Sequence, residues 1–152
     1  MKPLQIALLL LLAVVLSGCK SEPEFTKVSG TVTKNGEPLN SVEVRFVPID
    51  EALTKYNGFG LTDDEGKYTI AIPGREEKVF CVGKCKVTVR EGPMPNELRG
   101  NLERNEGGGA GAIKRFKASL KNRPIPKDYQ RLHSTPLKPD VTAGEFEFPI
   151  EL

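Results

Sequence analysis

Several things are scarce in this 152-residue chain. Tryptophan is absent, histidine occurs once and aromatic residues make up 7%. A core must then come mainly from Val, Ile, Leu and Phe. With His133 as the single histidine, a Ser-His-Asp or Cys-His arrangement has one residue to recruit, and no strand-turn-helix nucleophile elbow is present. His133 is expected to be an exposed loop residue. An excess of one charge is also lacking. Against 20 Asp and Glu stand 22 Lys and Arg, a formal net charge of +2, or +1 without Lys2. No strong overall field draws such a chain to nucleic acid. No phosphate-cradling motif is present either, because Gly107-Gly108-Gly109-Ala110-Gly111 does not fit Gly-x-x-x-x-Gly-Lys-Ser/Thr. That glycine run is expected to be a flexible hinge. Together these absences speak against catalysis and predict no cofactor.

What is present begins at the N-terminus. Lys2 supplies a positive end, Pro3 to Leu16 form an apolar stretch, and small residues follow. A spanning helix needs roughly 20 apolar residues, so the stretch reads as a secretion signal covering residues 1–18. Leu16-Ser17-Gly18-Cys19 resembles the bacterial lipobox, in which the cysteine thiol takes a diacylglycerol and the leader is removed. The plainer alternative is an ordinary signal peptide that ends in cysteine. Several acyl chains anchor stably, since each buried methylene adds roughly 0.8 kcal/mol. Cys19 is therefore the expected lipidation site, and the expected location is extracytoplasmic, in the cell envelope. Lys20 leans the sorting towards an outer membrane. Residues 19–26 read as a lipidated tether. Of 152 residues, 134 remain after the leader, enough for one domain over residues 27–152.

The period in that domain is two. Val28, Gly30 and Val32 alternate with Ser29, Thr31 and Thr33; Val42, Val44 and Phe46 alternate with Glu43, Arg45 and Val47. Similar alternation covers Tyr68 to Ile72, Cys85 to Arg90 and Glu145 to Glu151. Such runs describe half-buried antiparallel strands. Weaker strands are expected near Gly58 to Thr62 and near Pro136 to Val141. Short strands with turn signals such as Asn35-Gly36 predict an all-β sandwich. Pro149 cannot donate a ladder hydrogen bond, which places the last strand at an edge.

Residues 92–135 break the pattern as one long basic loop insertion containing glycine and proline. Inside it Ile113, Phe116 and Leu120 stand at helical spacing among Lys114, Arg115, Lys117 and Lys121, which predicts a short amphipathic helix. From Lys114 to Lys138 there are eight Lys and Arg against Asp128 alone. This stretch either contacts anionic lipid or an acidic envelope polymer, or is a solvated loop whose three apolar residues dock on the sandwich.

Asp63-Asp64-Glu65 admits a cation site, but the carboxylates lead straight into a strand without a distal glutamate. A hairpin turn with Gly66 in the left-handed position is the better account. With Cys19 assigned, Cys81 and Cys85 remain. In one continuous strand their Cα atoms would lie roughly 13 Å apart, beyond the ~7 Å reach of a disulfide. A turn at Val82-Gly83-Lys84 would bring them together. A structural disulfide, two free or buried thiols, and redox or copper chemistry all stay open here, although the spacing is not Cys-x-x-Cys.

The sequence Val28-Ser29-Gly30-Thr31-Val32, followed by Asn35-Gly36-Glu37-Pro38-Leu39 and Val42-x-Val44-x-Phe46-x-Pro48, resembles carboxypeptidase regulatory-like domains. Gly60-Leu61-Thr62-Asp63-Asp64-Glu65-Gly66-Lys67-Tyr68 and Gly83-Lys84-Cys85-Lys86-Val87-Thr88-Val89 continue the pattern. Ile125-Pro126-Lys127-Asp128-Tyr129, Thr135-Pro136-Leu137 and Val141-Thr142-Ala143-Gly144-Glu145-Phe146 are similar to the ending of planctomycete lipoproteins of this type. The chain departs from the pattern at Cys85, where an aromatic is usual after Gly-Lys. The resemblance implies a transthyretin/Ig-like, seven-stranded antiparallel β-sandwich and almost no biochemistry, because fold does not fix function. The combined expectation is a non-catalytic, lipid-anchored binding or structural module of the envelope. Its partners would be a membrane through the anchor and an envelope protein or polysaccharide. The alternative is an envelope redox or metal-handling protein using Cys81 and Cys85.

Overall fold

Phe25–Lys34 forms β1, the strand around which one sheet is built. Thr26, Val28, Gly30 and Val32 face inward while the residues between them are exposed or half-buried, the period of two expected of a strand with one wet face. The computed structural model describes residues 22–93 and 109–152. Cys19 and the leader lie outside the described residues. β1 begins within the segment read as tether, because Phe25 and Thr26 already pair with Cys81 and Phe80.

The remaining strands are β2 (Glu37–Pro38), β3 (Val42–Pro48), β4 (Gly58–Leu61), β5 (Lys67–Thr69), β6 (Phe80–Cys81) and β7 (Gly83–Glu91). After them come helix α1 (Gly109–Ser119) and strands β8 (Asp140–Val141), β9 (Glu145–Glu147) and β10 (Ile150–Glu151). Two 3-10 turns, Glu51–Tyr56 and Lys127–Gln130, lie between strands. β2, β5 and β6 pair antiparallel with β1, and a second antiparallel sheet runs β4-β3-β7-β8. The two sheets meet at one seam, where Phe59 of β4 and Ala71 exchange backbone hydrogen bonds of 3.0 and 3.1 Å. The expected all-β sandwich is the architecture observed.

One edge departs from the antiparallel pattern. β9 and β10 run parallel to β1, with Val28 opposite Phe146 and Val32 opposite Ile150. The register is the same on both sides of Pro149, so the proline interrupts the strand without shifting it. Phe148 and Leu152 donate their N–H groups to the carbonyls of Ser29 and Thr33. The alternate position, Pro149, turns its missing N–H towards the open edge, where its absence costs no ladder bond.

Between the sheets, Val28 and Val32 meet Val42, Val44, Phe46, Val87 and Val89, all fully buried. Phe46 is central. Its ring lies 5.4 Å from Phe80, 6.1 Å from Phe148 and 6.5 Å from Tyr68. Gly30 takes an inward position for a reason visible nearby. Tyr68 crosses over it to donate a 2.5 Å hydrogen bond to the Phe148 carbonyl, and a Cβ on Gly30 would stand 2.2 Å from that oxygen. β4 inverts the usual inside-outside rule. Its glycines point inward, where a Cβ on Gly58 would meet Ile70 at 2.5 Å, so Phe59 and Leu61 face out.

The weaker strand expected near Pro136 to Val141 shrinks to β8. Its hydrogen bonding to β7 begins earlier, since Val87 and Cys85 donate to the carbonyls of Leu137 and Pro139 at 2.9 and 3.0 Å. Pro139 has no N–H to return to Cys85, and Leu137 donates instead to Thr135 Oγ1, whose hydroxyl donates to the Val87 carbonyl, which breaks the ladder. Of the glycine run expected to be a hinge, Gly107 and Gly108 lie outside the described residues, and Gly109-Ala110-Gly111 open α1. Glycine disfavours helix by about 1 kcal/mol relative to alanine, and Ala110 and Ala112 alternate with it there.

Candidate functional site

Cys81 closes β6 in the first sheet, and Cys85 lies in β7 of the second. The chain crosses between sheets at Val82-Gly83, with Gly83 at φ +128°. The turn expected at Val82-Gly83-Lys84 is reduced to a bend at Val82, with Gly83 and Lys84 already in β7, and both cysteines are buried in the core, 1% and 0% exposed. They are free thiols in this structure, not a disulfide. The Cys85 Sγ faces the Pro139 carbonyl at 3.7 Å. Burial pushes the Cys85 thiol up to about 12, with Cys81 and Asp140 adding to the effect. Burial also raises Cys81. Thiol chemistry needs the reverse, an accessible sulfur with a depressed pKa. Among the described residues no group of three His, Cys, Asp or Glu side chains converges as a metal site.

Asp63 forms the expected turn. Its carboxylate accepts from the Glu65 and Lys67 amides, both at 2.9 Å, and Gly66 takes φ +74°. His133 is exposed.

Lys114, Arg115 and Lys117 lie exposed on α1, and exposed Lys121 follows its C-terminus. The helix uses its apolar residues unequally. Phe116 and Leu120 are half-buried and line an open groove of about 560 Å³ against Glu37, Pro38, Asn40 and Asp64. Ile113, expected to dock with them, is 45% exposed. It sits three residues before Phe116, at the start of the described helix face, and the groove does not extend to it. The chain leaving α1 is tied down firmly. Lys34 Nζ donates to the carbonyls of Asn122 (3.3 Å) and Pro124 (2.9 Å). Arg123 Nε pairs with Glu91 at 2.7 Å, and its Nη2 donates to the Asn40 carbonyl at 2.7 Å. Arg123 thus belongs to the fold, while the ammonium groups of Lys114, Lys117 and Lys121 have no ion pair or hydrogen bond among the described residues.

Sequence reasoning missed one surface. On the outer face of β4 and β3, Phe59 (48% exposed) stands opposite Arg45, and Leu61 (46%) opposite Glu43. Open grooves lie on either side of Phe59. The inward glycines at 58 and 60 were the available signal. They leave the two large apolar residues of that strand no place except outside.

No family model matches the chain, and no curated protein does. Two solved structures are similar to it. A DUF3823 family protein from Parabacteroides merdae ATCC 43184 has 14% identity and a TM-score of 0.43, over 86% of this chain and 46% of that one. The dioxygenase domain of a dioxygenase carbohydrate-binding protein fusion from Streptomyces sp. SirexAA-E has 18% identity and a TM-score of 0.38, over 90% and 84%. The chain spans less than half the length of the first. Likenesses this loose carry no argument about what the chain binds. The class defined here is an all-β sandwich. The carboxypeptidase regulatory-like resemblance rests on the sequence motifs alone.

Proposed function

We propose that this chain is a lipid-anchored, non-catalytic sandwich of the cell envelope that binds or organises another envelope component. The observation carrying it is Leu16-Ser17-Gly18-Cys19 behind a short apolar stretch, six residues before β1 begins at Phe25. That spacing suits a domain held close to a membrane by acyl chains. No helix among the described residues is long and apolar enough to cross a membrane. Binding rather than turnover is supported by the identity of the surface features, a cationic helix and an apolar pair beside charged side chains. An anionic surface, lipid or polymer, is the partner that Lys114, Arg115, Lys117 and Lys121 suit.

Mass spectrometry of the protein purified from detergent-solubilised membranes tests the anchor. The expected N-terminal residue is Cys19 carrying a diacylglycerol. An unmodified N-terminus elsewhere, with the protein in the soluble fraction, would overturn it. The redox alternative has little support, because burial of Cys81 and Cys85 works against thiolate formation.

A further inference from the structure

We propose that the cationic face of α1 binds an anionic polysaccharide, and that it does so at the end of the sandwich opposite the anchored N-terminus. The placement deepens the anchored-module reading and rests on it; the binding itself does not. β1 fixes the two ends. It starts at Phe25, next to the chain from Cys19, and ends at Lys34. Ten residues at ~3.3 Å each separate these ends by roughly 30 Å. Lys34 holds the segment that leaves α1 through Asn122 and Pro124, while Arg123 fastens the same segment to Glu91 and Asn40. Glu91 ends β7 opposite Val42, the first residue of β3, and Leu39 just before β3 donates its N–H to the Val32 carbonyl near the end of β1. The helix is therefore built onto the far end.

The charges at the two ends differ. Around the start of β1 the exposed charges are mixed: Glu22, Glu24, Asp50, Glu51, Glu76 and Glu77 stand among Lys27, Lys55, Arg75 and Lys78, and Glu22 pairs with Arg75 at 3.4 Å. α1 and Lys121 carry four exposed cations and no acidic residue. Three of them, Lys114, Lys117 and Lys121, have their ammonium groups uncommitted among the described residues. Lys114 and Lys117, three residues apart, share one face of α1, and Lys121 follows two residues past its C-terminus. Such a row matches repeated carboxylates on an extended polymer. A carbohydrate polyanion is favoured over the anchoring bilayer because the row stands about a sandwich length away from the anchor.

The test uses the full lipidated protein in phosphatidylcholine vesicles, with fluorescent polygalacturonate as the probe. Co-flotation of polymer at low salt is expected. A loss of at least about tenfold is expected in 0.5 M salt and in the Lys114→Glu, Lys117→Glu, Lys121→Glu variant. Unchanged thermal unfolding of that variant shows that the exposed residues were not needed for folding. Absent polymer binding at low salt, or binding indifferent to the charge reversal, overturns the proposal. A second arm places a fluorophore on Ala118→Cys in vesicles containing phosphatidylglycerol. Quenching by bilayer-embedded quencher would put α1 on the membrane and also overturn it. If Cys19 proves unmodified, the anchored-module reading fails. The same protein's charge-dependent binding of polygalacturonate, measured by sedimentation, then still decides whether α1 takes the polymer.

Discussion

Tyr68 reaches across Gly30 to the Phe148 carbonyl at 2.5 Å, so one phenol ties β5 to the edge strand on the far side of β1. Tyr68→Phe is expected to cost about 1–2 kcal/mol in denaturant unfolding, because a buried acceptor loses its donor. Gly30→Ala is expected to cost about 1–3 kcal/mol by overpacking the same crossing. The double variant should fall short of the sum, since both changes act on one contact; strict additivity would show that the contact is not shared. The thiols make a second prediction. Cys85 is raised from an ordinary 9 to about 12, so the folded state keeps a proton that the unfolded chain loses. Its contribution is fully present below about pH 9 and is lost as pH rises towards 12. Guanidinium midpoints measured from pH 8 to pH 11 should fall, and less steeply in Cys85→Ala. Native protein should react slowly with a thiol reagent at pH 8 and show both thiols once unfolded without reductant. No reaction after unfolding would mean a disulfide. The inward and outward alternation around these residues was legible in the sequence. The Tyr68 crossing was not, since it joins positions 68 and 148 only through the register of two strands on either side of Gly30.

α1 and the C-terminal edge show how elements take their limits from neighbours. An eleven-residue helix is shorter than the ~12–15 residues needed for marginal stability alone. Its docking through Phe116 and Leu120 is therefore expected to decide whether it persists. Phe116→Ala should reduce the helical circular dichroism signal while the global unfolding free energy changes by less than about 1 kcal/mol. Ile113→Ala, at a 45% exposed position, should change neither. Equal losses from both would mean that the helix docks through a different face. The spacing of Ile113, Phe116 and Leu120 announced the helix correctly, but only the groove beside Pro38 selects which of the three are used. At the edge, Pro149 announced an edge strand. Its parallel direction came from elsewhere, from the route that the chain takes past β8 before returning to β1.

At the scale of the whole molecule, Cys19→Ser is expected to move the protein from membranes to the soluble fraction without changing its melting temperature, because β1 begins only at Phe25. Retention of the variant on membranes in high salt would point to another anchor. The period of two, the turn residues and the apolar run ending at Cys19 are local properties, and they determined the sandwich class, the Asp63 turn and the expectation of a leader and lipobox. Charge runs are local too, yet the eight bases from Lys114 to Lys138 looked alike in the sequence. Tertiary structure divided them, sending Arg123 inward to Glu91 and leaving Lys114, Lys117 and Lys121 outside. It also decided that Cys81 and Cys85 belong to different sheets as buried thiols, and that the basic helix and the N-terminus of β1 lie at opposite ends. Each of these depends on pairings between residues far apart in the chain. A one-dimensional pattern records which face a side chain prefers, but not which distant strand or helix will cover it.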